Sequence, residues 1–228
     1  MQKFIFIILF VIISISQLFA QKITNKDFGD PAIISQKYNK LVKFQPGKFF
    51  YGSLPLVGEY GFALERKIDM KFSMQGEAAY LGNGLLYLVV YNNDTSMKSA
   101  NEPRMTMNGF RVQGSLRYYF TKKAAPEGLF IAPHFSYATC KYSTTALKNK
   151  GQYIQATHID YSLIAGWQHV YNDKISFEIF FGATYRNKTW VDKSLNGTKV
   201  LNTDDIKGMY LFQSNIRPKF GMTLGFVL

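Results

Sequence analysis

The feature that most restricts the fold of this chain is a long alternation of bulky side chains with small or polar ones. It runs through residues 109–121, 157–168, 175–186 and 216–228. In the first segment the bulky face carries Phe110, Val112, Leu116, Tyr118 and Phe120, and the opposite face carries Arg111, Gln113, Ser115, Arg117 and Tyr119. A β-strand places successive side chains on opposite faces, whereas a helix would spread these residues around its circumference. The alternation therefore predicts strands and excludes helices in these segments.

The first twenty residues have the layout of a secretory signal peptide. Lys3 gives a positive start, residues 4–15 form an apolar run, and Ala20 supplies a small residue before Gln21. An uncleaved membrane anchor is the alternative, but a spanning helix needs about 20 apolar residues and this run is shorter. We expect cleavage after Ala20 and export of a mature chain that begins at Gln21.

Composition narrows the class of the exported chain. Aromatic residues reach 16% and charged residues only 18%, against roughly a quarter charged residues in ordinary soluble domains. After Gln21 the longest apolar run covers residues 85–91, which is too short for a spanning helix. Two classes remain, a soluble β protein and a membrane β-barrel.

The spacing of turns favours the membrane barrel. Compact turns near residues 67–69, 121–127 and 172–174 alternate with longer polar stretches at residues 92–104, 144–152 and 193–207. Outer-membrane barrels have short periplasmic turns and longer external loops. Counting back from the C-terminus gives four strands that end near Arg66, Thr121, Tyr171 and Leu228, and four that begin near Asn39, Met70, Leu129 and Ile175. We therefore predict an all-β fold, an eight-stranded antiparallel transmembrane up-and-down β-barrel over residues 39–228.

Residues 21–38 precede the predicted barrel. We interpret them as a periplasmic N-terminal leader. The alternative is a short periplasmic plug helix, since Asp30 suits an N-cap and Pro31 the first helical position.

Side-chain volume decides which face of the strands points outward. A soluble lipocalin-like barrel also alternates, with its apolar face inside. Eight strands enclose room only for side chains or one small ligand, so the bulky residues of every strand would overfill the interior. We expect the bulky face to meet lipid, with aromatic girdles at both ends. Those near the short turns are Tyr118, Phe120, Trp167 and Tyr171, and those near the long loops are Tyr142, Tyr153, Tyr185 and Trp190.

The small, polar face then carries charges into the lumen. Four of them lie close to the short turns, and we predict that they form one lumen charge cluster of Glu65, Lys71, Arg117 and Glu178. Arg117, with five donors in a fixed fork, is the natural centre for two carboxylates. Charges withdrawn from water must be paired, which makes this cluster a stability element.

The C-terminal segment resembles the signal that the barrel-assembly machinery reads in outer-membrane proteins. Lys219, Gly221, Leu224 and Phe226 occupy the polar, glycine and alternating apolar positions of that pattern, and the chain ends in Leu228 where an aromatic is common. Residues 60–66, 117–120 and 128–133 are also similar to small, mostly uncharacterised eight-stranded barrels of the OmpA and OmpW type. The resemblance implies a barrel in the outer membrane of a Gram-negative bacterium, within the porin-like group, and assembly by that machinery. It implies no reaction.

His134 and Ser136 are the strongest candidates for catalysis. They share one face of a strand, and the pair loosely resembles the motif of outer-membrane lipid A deacylases. In that family the pair faces lipid and continues with Asn-Ala and an acidic residue. Here Phe135 and Tyr137 take the apolar face, so we expect His134 and Ser136 to fill the lumen.

Other catalytic and metal-binding patterns are weaker. His158, Asp160 and Ser162 share the lumen face, where polar pairs also serve as filling. One cysteine, Cys140, and three histidines give no metal-ligand spacing. We expect no cofactor.

The net charge of the chain bears on which molecules it binds. The formal net charge is +12, but the basic residues are scattered and belong to no nucleic-acid-binding motif. We expect outer-membrane lipid and lipopolysaccharide phosphates as partners instead, and a monomer.

The sequence therefore predicts a non-enzymatic outer-membrane barrel with a structural or interaction role and a charge-filled, non-conducting lumen. An OmpW-like carrier of a small hydrophobic molecule is the alternative, and a lipid-modifying enzyme is third. A carrier requires an apolar lumen or a lateral opening. The run at residues 85–90, apolar on both faces, is the place for an apolar pocket near the outer rim.

Overall fold

The computed structural model describes residues 39–50, 52–54, 56–93, 105–121, 125–144, 150–194, 197–201 and 215–228. The predictions for residues 1–20 and 21–38 lie outside these ranges. In chain order the elements are β1 (Lys40–Phe44), α1 (Gly47–Phe50), β2 (Val57–Lys67), β3 (Phe72–Asn83), α2 (Leu85–Asn93), β4 (Met105–Tyr119), β5 (Gly128–Thr144), β6 (Tyr153–Tyr171), β7 (Ile175–Ser194), β8 (Gly197–Leu201) and β9 (Ile216–Val227).

Eight of these strands close into an antiparallel barrel. Each of β1 to β6 pairs with the strand that follows it in the chain, β7 pairs with β9, and β9 pairs with β1. The predicted all-β fold, a closed barrel of eight antiparallel strands, is confirmed, and the four strand starts and four strand ends that we predicted lie within two residues of the observed ones. The exception to the strand count is β8, which lies outside the closed ring and pairs only with Trp190–Ser194 of β7. It extends the β7 hairpin into a segment that we expected to be loop.

The connections define two ends of the barrel. At the turn end, Asn172 and Asp173 join β6 to β7 with φ values of 47° and 60°. Positive φ at both central residues gives a type I′ turn, whose twist matches that of the flanking strands. The turns after β2 and β4 and both termini of the ring lie at this same end, and the longer connections lie at the opposite, loop end.

The two faces of the wall differ as predicted. Large apolar side chains point outward along every long strand, among them Phe62, Tyr80, Phe110, Phe135, Leu163, Phe181 and Phe220. The inner face buries polar and charged side chains, including Lys43, Glu59, Glu65, Arg111, Arg117, Asp160, Glu178 and Arg186. On β7 the adjacent residues Phe181 and Phe180 are 68% and 7% exposed. The described strands therefore do not have the inward apolar face of a lipocalin-like barrel.

The apolar run at residues 85–90 is helical, so our interpretation of it as a stretch with two apolar strand faces was wrong. The side chain of Asn83 explains the break, because it takes over ladder bonds at the end of β3. Its Nδ2 donates to the Met105 carbonyl at 2.9 Å, and its Oδ1 accepts from the Met107 N–H at 2.9 Å. Gly84 then leaves the sheet and begins the turn of α2, where its carbonyl accepts from the Leu88 N–H. Among the described residues, no helix is long and apolar enough to cross a membrane.

β1 is the shortest strand of the ring. It pairs with β2 only from Ala63 to Arg66 and with β9 only from Leu224 to Val227. The chain after β1 forms α1, which packs against β2 and α2, and then places the buried Leu54 inside the loop end.

Candidate functional site

The densest group of charges lies in the lumen near the turn end. We call Lys43, Glu65, Arg117 and Glu178 the lower charge cluster. Arg117 binds Glu178 through two bonds, Nη1 to Oε2 at 2.7 Å and Nη2 to Oε1 at 3.1 Å, and its Nη1 lies 3.7 Å from Glu65 Oε2. Lys43 Nζ contacts Glu178 Oε2 at 2.6 Å and also pairs with Glu65. All four side chains are at most 2% exposed, so two cations face two carboxylates away from water.

Neutral side chains complete this cluster. The Tyr119 hydroxyl donates to Glu65 Oε1 at 2.8 Å, and Ser73 also donates to that oxygen. Gln168 donates from Nε2 to Glu65 Oε2 at 3.2 Å and accepts from Lys43 at 2.5 Å. The guanidinium of Arg117 lies 4.6 Å above the ring of Phe130. Arg117 Nε has no hydrogen-bond partner among the described residues, but the other bonds of this buried network fix the relative positions of strands that are far apart in sequence.

Three of the four residues predicted for this cluster meet there: Glu65, Arg117 and Glu178. Lys71 lies in the turn before β3, where it donates from Nζ to the Thr121 carbonyl. Partial burial lowers the pKa of its ammonium group. The second cation of the cluster is Lys43, which our sequence reasoning missed. The only sequence pattern that places Lys43 is the alternation of Leu41 and Lys43 with Val42 and Phe44. This alternation is too short to show which of the two pairs faces the lumen.

A second group, the upper charge cluster, fills the lumen toward the loop end. Arg111 contacts Glu59 at 2.5 Å, and Lys48 of α1 contacts Glu77 at 2.7 Å and Glu59 at 3.3 Å. Gln113 also donates to Glu77. Glu59 is thus held between two cations, one of which reaches the lumen from outside the strands.

The same cluster includes a bidentate ion pair between neighbouring strands. Arg186 Nε and Nη2 each lie 2.7 Å from one oxygen of Asp160. Arg186 Nη1 also donates to the Ser53 carbonyl at 2.7 Å. These bonds tie the segment after α1 to the barrel wall.

His134 and Ser136 both point into the lumen, as predicted, and are 8% and 0% exposed. The two nitrogens of His134 lie 3.0 and 3.2 Å from Lys219 Nζ. Ser136 Oγ has no hydrogen-bond partner among the described residues. The hydrogen bond that would let His134 activate Ser136 is therefore not formed.

His158 approaches both an acid and a hydroxyl, but through a single nitrogen. Its Nε2 lies 3.8 Å from Asp160 Oδ2 and 3.5 Å from Ser53 Oγ. Its Nδ1 is buried without a partner among the described residues. A catalytic triad needs different partners on the two ring nitrogens. The described residues around His158 therefore do not form a triad.

Metal binding has no support within the described ranges, where no three His, Cys, Asp or Glu side chains could hold an ion. The one cysteine, Cys140, is a buried free thiol in an apolar cluster. That cluster lies toward the loop end of the lumen, and its members are Leu54, Val57, Leu81, Met107, Ala138, Cys140 and Ala156. The apolar material that we expected at residues 85–90 is thus supplied mainly by inward strand positions and by Leu54.

The residues of the C-terminal motif divide between the two faces of β9. Lys219 points inward to His134. Gly221 faces Phe180, whose ring carbon Cζ would lie 2.5 Å from a Cβ at that position. Leu224 and Phe226 lie on the opposite face, where Phe226 pairs with Val42 and Ile175 of the neighbouring strands and is 53% exposed. Packing alone therefore accounts for the glycine.

No protein-family model matches the chain, and comparisons with curated proteins and with solved structures give no significant match. The resemblance to OmpA- and OmpW-type barrels therefore stays a prediction. The fold and the site define a class: an eight-stranded antiparallel β-barrel with an apolar outer face and a lumen that holds buried ion pairs and, toward the loop end, an apolar cluster.

Proposed function

We propose that this chain is an outer-membrane β-barrel of a Gram-negative bacterium with a structural or interaction role. The observation that carries the proposal is the distribution of side chains across the wall. Large apolar residues are exposed around the ring, while ion pairs are buried inside it. Soluble monomers rarely expose contiguous apolar patches of more than a few hundred Å². Lipid around the barrel would cover this surface.

Aromatic side chains near the turn end support the same placement. Trp167 and Tyr171 of β6 are exposed on the outer face at 39% and 62%. Amphipathic rings at this level are typical of the membrane interface. The girdle expected at the loop end is only partly formed, because Tyr142 and Trp190 stack on one another and pack against the inner apolar cluster. Tyr185 remains exposed outside.

The filled lumen supports a role other than passive diffusion. The lower charge cluster, the upper charge cluster and the apolar cluster occupy successive levels of the interior. An eight-stranded barrel has space for side chains but little further bore. We therefore propose a non-conducting barrel that acts through its surface, its loops or its surrounding lipid.

The proposal includes the export and insertion steps and the binding partners that the sequence leads us to expect. The signal peptide would be removed after Ala20, and the barrel-assembly machinery would insert the chain as a monomer. Lipopolysaccharide phosphates are the natural partners for the basic residues near the loops. A carrier of a small hydrophobic molecule is the second candidate, because β1 closes the ring over so few residues.

Two linked measurements on the full chain test the proposal. The protein is refolded into phosphatidylcholine vesicles, which are floated on a density gradient, and is compared on denaturing gels with and without boiling. We expect co-flotation and faster migration of the unboiled protein, since strands paired around a closed ring leave few edges for detergent to enter. A protein that folds in buffer without lipid and stays at the bottom of the gradient would contradict the proposal.

A further inference from the structure

The outer face of the barrel changes from apolar to polar at one level of strands β4 to β7. The series of apolar residues on that face runs from the turn end to Phe110, Tyr137, Ile159 and Tyr185. The next outward residues of the same four strands are Asn108, Thr139, Thr157 and Asn187. These positions are neighbours in the sheet, since Tyr137 pairs with Ile159 and Thr139 with Thr157. The apolar band on this side of the wall therefore ends at a defined level.

The height of this apolar band matches the hydrocarbon layer of a membrane. Between Tyr171, near the turn end, and Ile159, strand β6 extends about 40 Å along its own axis at about 3.3 Å per residue. Strands of membrane barrels tilt by about 35–45°, which reduces this length to a height of roughly 30 Å. The hydrocarbon core of a bilayer is about 30 Å thick. In a barrel placed in a bilayer as proposed, the strand segments beyond Thr157 therefore lie among the lipid head groups and above them.

Strands β5, β6 and β7 continue past this level, and their outer face there carries two lysines beside an aromatic ring. The Nζ atoms of Lys141 and Lys193 lie 4.6 and 5.5 Å from the centre of the Tyr153 ring. The three residues come from three neighbouring strands, since Tyr153 is the register partner of Lys193 and Lys141 is the register partner of Gln155. We call Lys141, Tyr153 and Lys193 the outer lysine site.

The two ammonium groups of the outer lysine site are exposed and are not neutralised within the described part of the chain. No carboxylate there forms an ion pair with either lysine, and the contact given for each is the Tyr153 ring. Asp192 is adjacent to Lys193 in sequence but alternates to the inner face of β7, together with Trp190, which packs against the apolar cluster. Its register partner on β8 is Lys199. Two positive charges thus share one side of the wall, which favours an anionic partner.

Hydroxyl and amide groups cover the wall between the outer lysine site and the apolar band. Gln155 Nε2 donates to Thr139 Oγ1 at 3.0 Å, and that oxygen lies 3.1 Å from Thr157 Oγ1. These bonds hold three polar side chains in a row on the outer face of β5 and β6. An amide and two hydroxyls have further donor and acceptor sites, which suit the hydroxyl groups of a sugar. One strip of wall therefore offers, in order of height, an apolar surface, a hydrogen-bonding surface and two positive charges.

We propose that the outer lysine site binds the head group of a phosphorylated saccharide lipid in the surrounding leaflet. The acyl chains lie against the apolar band, the sugar contacts the row of Gln155, Thr139 and Thr157, and a phosphate lies between the two ammonium groups. Lysine binds phosphate as a point charge, and the Tyr153 ring holds both lysines at one place by cation–π contact. The inference rests on the proposed function and assigns its expected lipid partner to one location on the wall.

Lipid titration of the full chain, folded in detergent micelles, tests the site. The probe is diphosphorylated lipid A, and native mass spectrometry measures the fraction of barrel that carries it. We expect the double variant Lys141→Gln/Lys193→Gln to raise the dissociation constant about tenfold, the product of about threefold for each exposed ion pair. The matched control, Lys40→Gln/Lys174→Gln, removes two exposed charges at the turn end and should leave the constant unchanged. Equal affinities of the parent and the first variant, or an equal loss in both variants, would overturn the proposal.

Further variants separate the roles of charge and ring. Lys141→Arg/Lys193→Arg should keep the affinity, because it keeps both charges, and loss of binding in this variant would refute the charge argument. Tyr153→Phe should also keep it, whereas Tyr153→Leu should weaken binding about threefold, because the cation–π contacts are lost. Unchanged affinity of Tyr153→Leu would contradict the role of the ring. Each variant is first checked for flotation with vesicles and for heat-modified gel mobility. An inserted barrel without the expected preference refutes the outer lysine site alone, whereas a chain that does not insert refutes the proposed function.

Matched lipids identify which part of the head group is bound. Lipid A without its phosphates is the neutral control, and phosphatidylglycerol is the anionic control without a sugar. The parent should bind both more weakly than diphosphorylated lipid A. Equal binding of the neutral lipid would refute the phosphate assignment, and equal binding of phosphatidylglycerol would refute the saccharide assignment. Inorganic phosphate at the same concentration should not displace the lipid. If it does, the site binds a free anion and the lipid proposal is wrong.

Discussion

Replacing Arg117 by leucine should destabilise the barrel more than any single neutralisation of its partners. The substitution removes the two bonds to Glu178, the approach to Glu65 and the contact above the Phe130 ring. Two buried carboxylates then share Lys43 alone, which leaves one negative charge without compensation. Removing one partner of a buried pair typically costs about 3–5 kcal/mol. Since Lys43 contacts both carboxylates, we expect the free energy of unfolding to fall by an amount near the lower limit of this range, about 3 kcal/mol.

Urea unfolding in lipid vesicles, followed by gel mobility, measures this loss. With a slope of about 1–3 kcal/mol per molar urea, the midpoint should fall by about 1–3 M. Glu65→Gln and Glu178→Gln should shift it less, because an amide still accepts hydrogen bonds and the other carboxylate still faces both cations. Lys193→Leu is the surface control. Its Nζ lies 5.5 Å from the Tyr153 ring, an exposed contact worth about 0.5–1 kcal/mol at most. An Arg117→Leu midpoint equal to that of the parent would refute the burial argument.

Four other outcomes are expected from the structure and the sequence. Gly221→Ala should lower stability by about 1–3 kcal/mol, because its Cβ would meet the Phe180 ring, and Phe180→Leu should restore much of the loss in a double-mutant cycle. Deleting residues 226–228 should abolish membrane assembly, and normal insertion in a flotation assay would contradict that role. Planar bilayers should show no large stable conductance, and a reproducible porin-sized step would overturn the filled-lumen account. N-terminal sequencing of the membrane protein should begin at Gln21, and recovery of Met1 would contradict cleavage.

The sequence predicts the wall of the barrel well because one physical rule governs it. Along β4 to β7 successive side chains face the outside and a narrow interior in turn, so volume and polarity alternate over most of each strand. Phe130, Ile164 and Phe180 are large apolar residues that face inward. A shift of one residue would exchange the two faces, which explains why strand ends and faces could be inferred together. Arg117 and Glu178 meet because each lies a few residues from a short turn on the inward phase of its strand.

The parts that the sequence did not predict depend on contacts between distant segments. Lys43 lies in a strand of five residues, where the alternation is too brief to assign a face. Lys48 and Leu54 reach the lumen from the connection after β1, and no local pattern indicates that a connection will fold inward. The run that forms α2 was misread because a short apolar stretch fits a helix as well as a buried strand. Asn83, which ends the ladder there, acts through side-chain bonds that periodicity does not reveal.

The most direct test of the account is the environment of Phe181. It is 68% exposed on the outer face of β7, and it lies level with Ala165 and Phe220 on the neighbouring strands. A nitroxide attached at Phe181→Cys, with Cys140 replaced by alanine, reports its surroundings in vesicles. The account predicts that oxygen, which concentrates in lipid, relaxes the label more strongly than a water-soluble nickel chelate. A nitroxide at Thr184→Cys, which points into the lumen, is studied in the same chain with Cys140 replaced by alanine. Oxygen should not relax this label more strongly than the nickel chelate does. If the nickel chelate relaxes the label at residue 181 more strongly than oxygen does, the apolar face is not in lipid and the central claim is wrong.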